Sequence, residues 1–299
     1  MFPILPANSA TSFAPYNDEG IFGFGESPKY SLTNLVSNLG VISSDVTGVG
    51  TARDQIGACE YGDDKGIFGF GYIGWSIFLN ETNKVSNAGV VASDTVGIGT
   101  ERGYAEACSY GDDKGIFGFG GSYSDITNLV SNLGVVATDG TGVGTGRSAA
   151  AATEYGGDKG IFGFGFDAGG KLSITNLVSN SGVLASDQAA TTGTARDGLA
   201  ACGYGEGQAI FGFGNGVADT AVTNLVSTTG VIAADVTGVG TARNYIAATQ
   251  YGEDKGIFAY GHSGSNVSTS NLVSDVGVIS ADVSGVGTSR SALGACSFG

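Results

Sequence analysis

The sequence predicts an all-β protein made of six near-identical units that close into a ring. Three observations carry this. The run Gly66-Ile67-Phe68-Gly69-Phe70-Gly71 returns at Ile21, Ile116, Ile161 and Ile210, and as Ile257-Phe258-Ala259-Tyr260-Gly261, at spacings of 46, 49, 45, 49 and 47 residues. Self-similarity at such a period marks repeat architectures, whose units bury their apolar faces only against one another. Each unit is a series of short β-rich runs between Gly, Asn and Asp turns, with no helical period. The chain also ends on the strand that elsewhere precedes the Ile-Phe-Gly-Phe-Gly run, so residues 290–298 complete the unit begun at Gly20. That closure removes an exposed sheet edge.

Residues 1–19 read as an N-terminal arm, because Pro3, Pro6 and Pro15 have no N–H to give a sheet. The repeats occupy 20–299. In the Ile-Phe-Gly-Phe-Gly strand, period-two alternation puts Phe68 and Phe70 on one face and Gly69 and Gly71 on the other. Glycine inside a strand signals close approach of another chain segment, so aromatic rings of one unit are expected to fill the flat face of its neighbour. A loop, Thr-Asn-Leu-Val-Ser, a tight turn and Gly-Val-Val-Ala-Ser-Asp follow. Thr-Gly-Val-Gly-Thr-Ala-Arg then leads to a small-residue strand such as Gly57-Ala58-Cys59-Glu60-Tyr61, giving four strands per unit.

Spacing separates rigid parts from free ones. Asn to Asp is 11 residues in all six units, and Arg to the next Ile is 14 in all five complete cases. Only the gap from the glycine run to Asn varies freely: 9, 12, 8, 11, 10 and 10 residues. Length varies where packing does not fix it, and binding residues concentrate on such loops. The variable segments 26–32, 72–81, 121–126, 166–174, 215–222 and 262–269 hold the same place in every unit, so in a ring they share one face. Tyr30, Tyr72, Trp75, Tyr123 and His262 are the candidate partner-binding residues there, with Tyr72, Trp75 and Tyr123 able to form one aromatic patch.

A unit of this design resembles a kelch-type β-propeller blade, with Gly69-Phe70-Gly71 at the place of the paired glycines. The resemblance covers residues 20–299 and implies a six-bladed β-propeller of four-stranded blades. It departs from the kelch pattern in the blade tryptophan: Trp75 is the only Trp, and Val41, Val90, Val135, Val183, Val231 and Val278 occupy that region. The Thr-Asn-Leu-Val-Ser-Asn and Thr-Gly-Val-Gly-Thr-Ala-Arg phrases are similar to repeats in virion proteins of tailed bacteriophages. This implies a non-enzymatic tail, fibre or appendage component, located in the virion and made in the host cytoplasm. Its implied partners are other virion proteins and a host surface glycan or protein.

Charge and composition exclude other classes. A net charge of −15 repels phosphate backbones, so no nucleic acid is expected. No apolar run is long enough to span a bilayer, and Met1 to Ala10 lacks the features of a secretory signal. His262 is the only histidine, which argues against a Ser-His-Asp triad and against multi-imidazole metal sites; no cofactor or metal is expected. Cys59, Cys108, Cys202 and Cys296 hold equivalent places on different units, too far apart for disulfides. The acidic turns at Asp63-Asp64, Asp112-Asp113, Asp158 and Glu253-Asp254 lack calcium-loop spacing and read as solvated hairpin turns, with calcium binding as the alternative.

The repeated charges Asp45/Arg53, Asp94/Arg102, Asp139/Arg147, Asp187/Arg196, Asp235/Arg243 and Asp282/Arg290 read as a structural ring. Their Arg side chains are expected to satisfy carbonyls or carboxylates between units. An anion-binding ring is the alternative. Two further functions stand beside the virion reading: a lectin-like carbohydrate-binding propeller, and a sugar-processing enzyme using paired carboxylates.

Overall fold

The computed structural model describes residues 18–74, 76–188 and 192–299, and over these the chain is all-β with no helix. The N-terminal segment 1–17 lies outside the described residues. β1 (Glu19–Gly23) begins inside the stretch assigned to the arm and pairs with β2 (Thr33–Val36). Five further three-stranded antiparallel sheets follow along the chain. They are β3 (Gly57–Tyr61), β4 (Lys65–Gly74) and β5 (Ile77–Val85); then β6 (Glu106–Tyr110), β7 (Lys114–Gly118) and β8 (Thr127–Val130). The next has β9 (Ala151–Tyr155) and β10 (Lys159–Gly163), a two-stranded hairpin of β11 (Phe166–Asp167) and β12 (Gly170–Lys171), and β13 (Thr175–Val178). The last two are β14 (Ala200–Tyr204), β15 (Gln208–Gly212) and β16 (Thr223–Val226), then β17 (Ala247–Tyr251), β18 (Lys255–Ala259) and β19 (Ser270–Val273).

The final strand, β20 (Gly294–Phe298), pairs with β1, placing Ile21 opposite Cys296. Both ends of the described chain therefore share one sheet. The six small-residue strands touch in succession: β3 with β6, β6 with β9, β9 with β14, β14 with β17, β17 with β20, and β20 with β3. Main-chain bonds join the turns at one end of these strands, with Gly62 N–H donating to Asp113 O, Gly111 to Asp158, Gly205 to Asp254, Gly252 to Asp18 and Gly299 to Asp64.

The expected fourth strand does not form. Residues 42–46 form no continuous ladder with β2: the β-bridges are two single ones, Val36 with Ile42 and Thr33 with Val46, and the pattern repeats in every unit. The cause is a side chain. Asn34 Nδ2 donates to Ser43 O at 3.0 Å and to Asp45 Oδ1 at 2.9 Å, taking a carbonyl that a continuous ladder would use.

The expectation that Phe68 and Phe70 share a face is also corrected. Phe70 has φ 63°, as Phe24, Phe119, Phe164, Phe213 and Tyr260 have φ near it, which ends the alternation and turns the second ring the other way. Phe68 packs back on Phe24 at 5.3 Å, whereas Phe70 packs forward on Phe117 at 5.1 Å. The flat glycine face is filled by the following unit's first Phe: a Cβ on Gly69 would lie 2.7 Å from Phe117 Cζ. Each interface thus closes around two rings at edge-to-face distance, an arrangement worth about 0.5–1.5 kcal/mol beyond area burial. The four cysteines are free and buried, as expected; Cys59 Sγ rests against Gly115 of the next unit.

Candidate functional site

The repeated arginines are the largest fully buried side chains among the described residues. Arg53 shows the pattern. Its Nε donates to Phe70 O at 2.7 Å, Nη1 to Thr51 O at 3.1 Å and Nη2 to Asn83 Oδ1 at 2.7 Å. Its guanidinium carbon sits 4.4 Å from the Phe24 ring centre in the preceding sheet. Arg102, Arg196, Arg243 and Arg290 repeat the Nε and Nη2 bonds, and each stacks on an aromatic ring of the sheet before it. Arg147 stacks on Phe119 at 3.8 Å, but among the described residues its Nε and Nη2 have no acceptor and Asn176 Oδ1 has no donor. Burial lowers the Arg53 pKa to about 10, partly offset by Asp94 and Glu81, so the group stays charged near neutrality.

The Asp partners are not the neighbours in sequence. Asp94 faces Arg53, at 3.6 Å, rather than Arg102; Asp282 faces Arg243, and Asp45 faces Arg290. Asp139, Asp187 and Asp235 feel the charges of Arg102, Arg147 and Arg196 in the same sense. Each Asp also accepts from the Thr two residues before that Arg, as Thr51 N–H and Oγ1 donate to Asp94 Oδ2 at 2.8 and 2.7 Å. Partial burial alone would raise the Asp94 pKa, but the Thr51 and Asn83 bonds and the Arg53 charge outweigh it and lower the value. The fixed 11-residue spacing is the Asn-to-Asp bond itself, present in all six units at 2.8–2.9 Å.

The variable segments start beside the residue that follows each Arg: bridges join Asp54 with Tyr72, Ser148 with Phe166, Asp197 with Asn215 and Asn244 with His262. Two segments are more ordered than loops, since β4 and β5 extend through most of 72–81 and β11 and β12 lie within 166–174. Tyr72 packs on Phe78 at 5.3 Å, with Lys29 Nζ 4.5 Å from its ring centre. Tyr123 packs on Phe166 of the following unit at 5.5 Å. Tyr72 and Tyr123 therefore anchor two separate pairs, and Trp75 lies outside the described residues. Tyr30 turns its hydroxyl back on Ser27 O, and His262 is half-buried and held through its main chain by Asn244.

Two small cavities, of about 70 and 50 Å³, lie between the six inner strands. The first is lined by Gln55, Tyr104, Tyr245, Glu106 and a set of aliphatic and small residues, with the two Tyr rings 6.2 Å apart. The second contains Glu60, Glu154 and Gln250. Burial pushes Glu106 up to about 8 and raises Glu154 well above the carboxylate range, with Glu60 adding to the latter. Sequence reasoning missed these acids; the one available signal was a Glu at 106 where the other units carry Gly or Ala. In the acidic turns, Asp64, Asp113, Asp158 and Asp254 pair with the adjacent Lys.

Compared with known proteins, the chain matches no family model and no curated protein at a significant level.

Proposed function

We propose that residues 20–299 form a six-bladed, kelch-like β-propeller, each blade having three full strands and a bridged outer segment, closed by β20 completing the first blade. We propose further that this ring is a non-enzymatic structural or attachment component of a phage-like virion, with residues 1–19 or the variable face engaging other virion proteins. The carrying observation is the use of the repeated charges. Arg53 and its equivalents are buried between sheets, and the Asp, Asn and Thr of the repeat are bonded to them or to each other. Polar groups repeated in every unit thus serve to hold sheet against sheet, the investment expected of a rigid scaffold. Mass spectrometry of purified virions whose genome encodes this chain tests the reading. Its peptides are expected in stoichiometric amounts, and their absence from intact particles overturns it.

A lectin-like role is the second reading, supported by Tyr123, which is 40% exposed beside Phe166 on the variable face. Aromatic faces suit sugar rings at low entropic cost. Glycan-array binding that survives washing and is lost in Tyr123→Ser supports it; no binding removes it.

A further inference from the structure

The outer segments 37–51, 86–100, 131–145, 179–188 with 192–194, 227–241 and 274–288 differ from the rest of the described surface. In a chain with 28 acidic and 13 basic residues, they contain no Lys, Arg, Glu or Pro. Their only charges are Asp275 and the six Asp residues whose carboxylates accept from Thr and Asn. Exposed edges of sheets are ordinarily protected by Lys, Pro or inward charge. Here the edge carries Val41, Val90, Val135, Val183, Val231 and Val278, each 57–65% exposed.

These valines are held rigidly. The hydroxyl of Ser37 accepts from Val41 N–H at 3.2 Å while Ser37 N–H donates to Val41 O at 3.0 Å, and the same Ser-Val turn recurs at all six sites. Scattered exposed apolar residues are normal on any protein. Equivalent apolar knobs fixed in every unit on an edge without Lys, Arg, Glu or Pro are the features of an interface.

We propose that this perimeter is a self-association surface, and that its occupant is the perimeter of a second copy of the chain. Charge decides the occupant. With a net charge of −15, two copies repel wherever free carboxylates face each other. In the outer segments the six repeated carboxylates lie beside buried guanidinium groups that offset their charge, so two copies meet there with little like-charge cost. A basic protein would find the repeated carboxylates already offset by buried Arg, and an anionic membrane would find no Lys or Arg on these segments. Identical edges also pair about a two-fold axis without further design. The proposal goes beyond the virion reading and stands or falls separately from it, because it concerns the purified chain alone.

Sedimentation velocity of the full chain over a concentration series tests it. The wild-type protein is expected to form dimers or larger species that grow with concentration. A variant carrying Val41→Lys, Val90→Lys, Val135→Lys, Val183→Lys, Val231→Lys and Val278→Lys is expected to be monomeric with an unchanged circular dichroism spectrum. If the lysine variant does not fold, the near-isosteric Val→Thr set at the same six positions takes its place, with association weakened at least tenfold. A wild-type chain that stays monomeric, including one that instead captures lipid vesicles or another protein, overturns the proposal. So does a folded variant that associates as the wild type does.

Discussion

The guanidinium carbon of Arg53 lies 4.4 Å from the centre of the Phe24 ring, across the boundary between two sheets. The same side chain bonds Phe70 O and Asn83 Oδ1 within its own sheet, so one residue joins both sides of the boundary. Removing a buried charged partner leaves polar atoms unmatched, at a cost of about 3–5 kcal/mol. Arg53→Ala is expected to lose stability on that scale in denaturant unfolding. Arg53→Lys recovers little, because an ammonium cannot span the fork. Arg147→Ala is expected to lose distinctly less, since its Nε and Nη2 have no acceptor among the described residues. Equal losses at the two sites would refute the proposed role of the hydrogen bonds.

The glycine faces make a second prediction. A Cβ at Gly69 would meet the Phe117 ring at 2.7 Å, in a strand whose φ needs no glycine. Gly69→Ala is expected to cost about 1–3 kcal/mol through overpacking. An unchanged denaturation midpoint would show that the interface is looser than described.

Glu106 sets a pH dependence. Its folded pKa, about 8, is raised above the unfolded carboxylate value. Below the unfolded value both states are protonated and there is no penalty. As pH rises from there, the unfolded state ionises first, so stability falls until the folded pKa is passed and is then level. Glu106→Gln is expected to raise the thermal midpoint at pH 9 while leaving it nearly unchanged at pH 4. A rise of equal size at both values would contradict the burial argument.

The cysteines yield a fourth prediction. All four are buried, and burial pushes the Cys202 thiol up to about 12. Thiolate, the reactive form, is therefore scarce. Intact mass after alkylation should show no adducts on the native protein and four after unfolding. Fewer than four in the denatured, unreduced sample would reveal a disulfide.

Much of this arrangement was legible because it repeats. The constant gap between Asn34 and Asp45 recorded a side-chain hydrogen bond, and the terminal strand recorded its own partner. What was hidden depended on geometry that spacing does not encode. The positive φ at Phe70 reverses its ring although alternation predicts otherwise. Asp94 meets Arg53 of the preceding connection rather than the nearer Arg102, because that connection passes over the next sheet. The fourth strand failed because Asn34 competes for its carbonyl. Glu106 escaped notice since nothing in a single Glu announces that it lines a cavity shared with five other strands.

The proposed ring of six sheets closes where β1 and β20 pair. A crystal structure of the full chain tests it most directly. β20 is expected to be hydrogen-bonded to β1 with Ile21 opposite Cys296, and packed on both β3 and β17. An open array with Phe298 unpaired, or a ring with a seventh sheet, would contradict it.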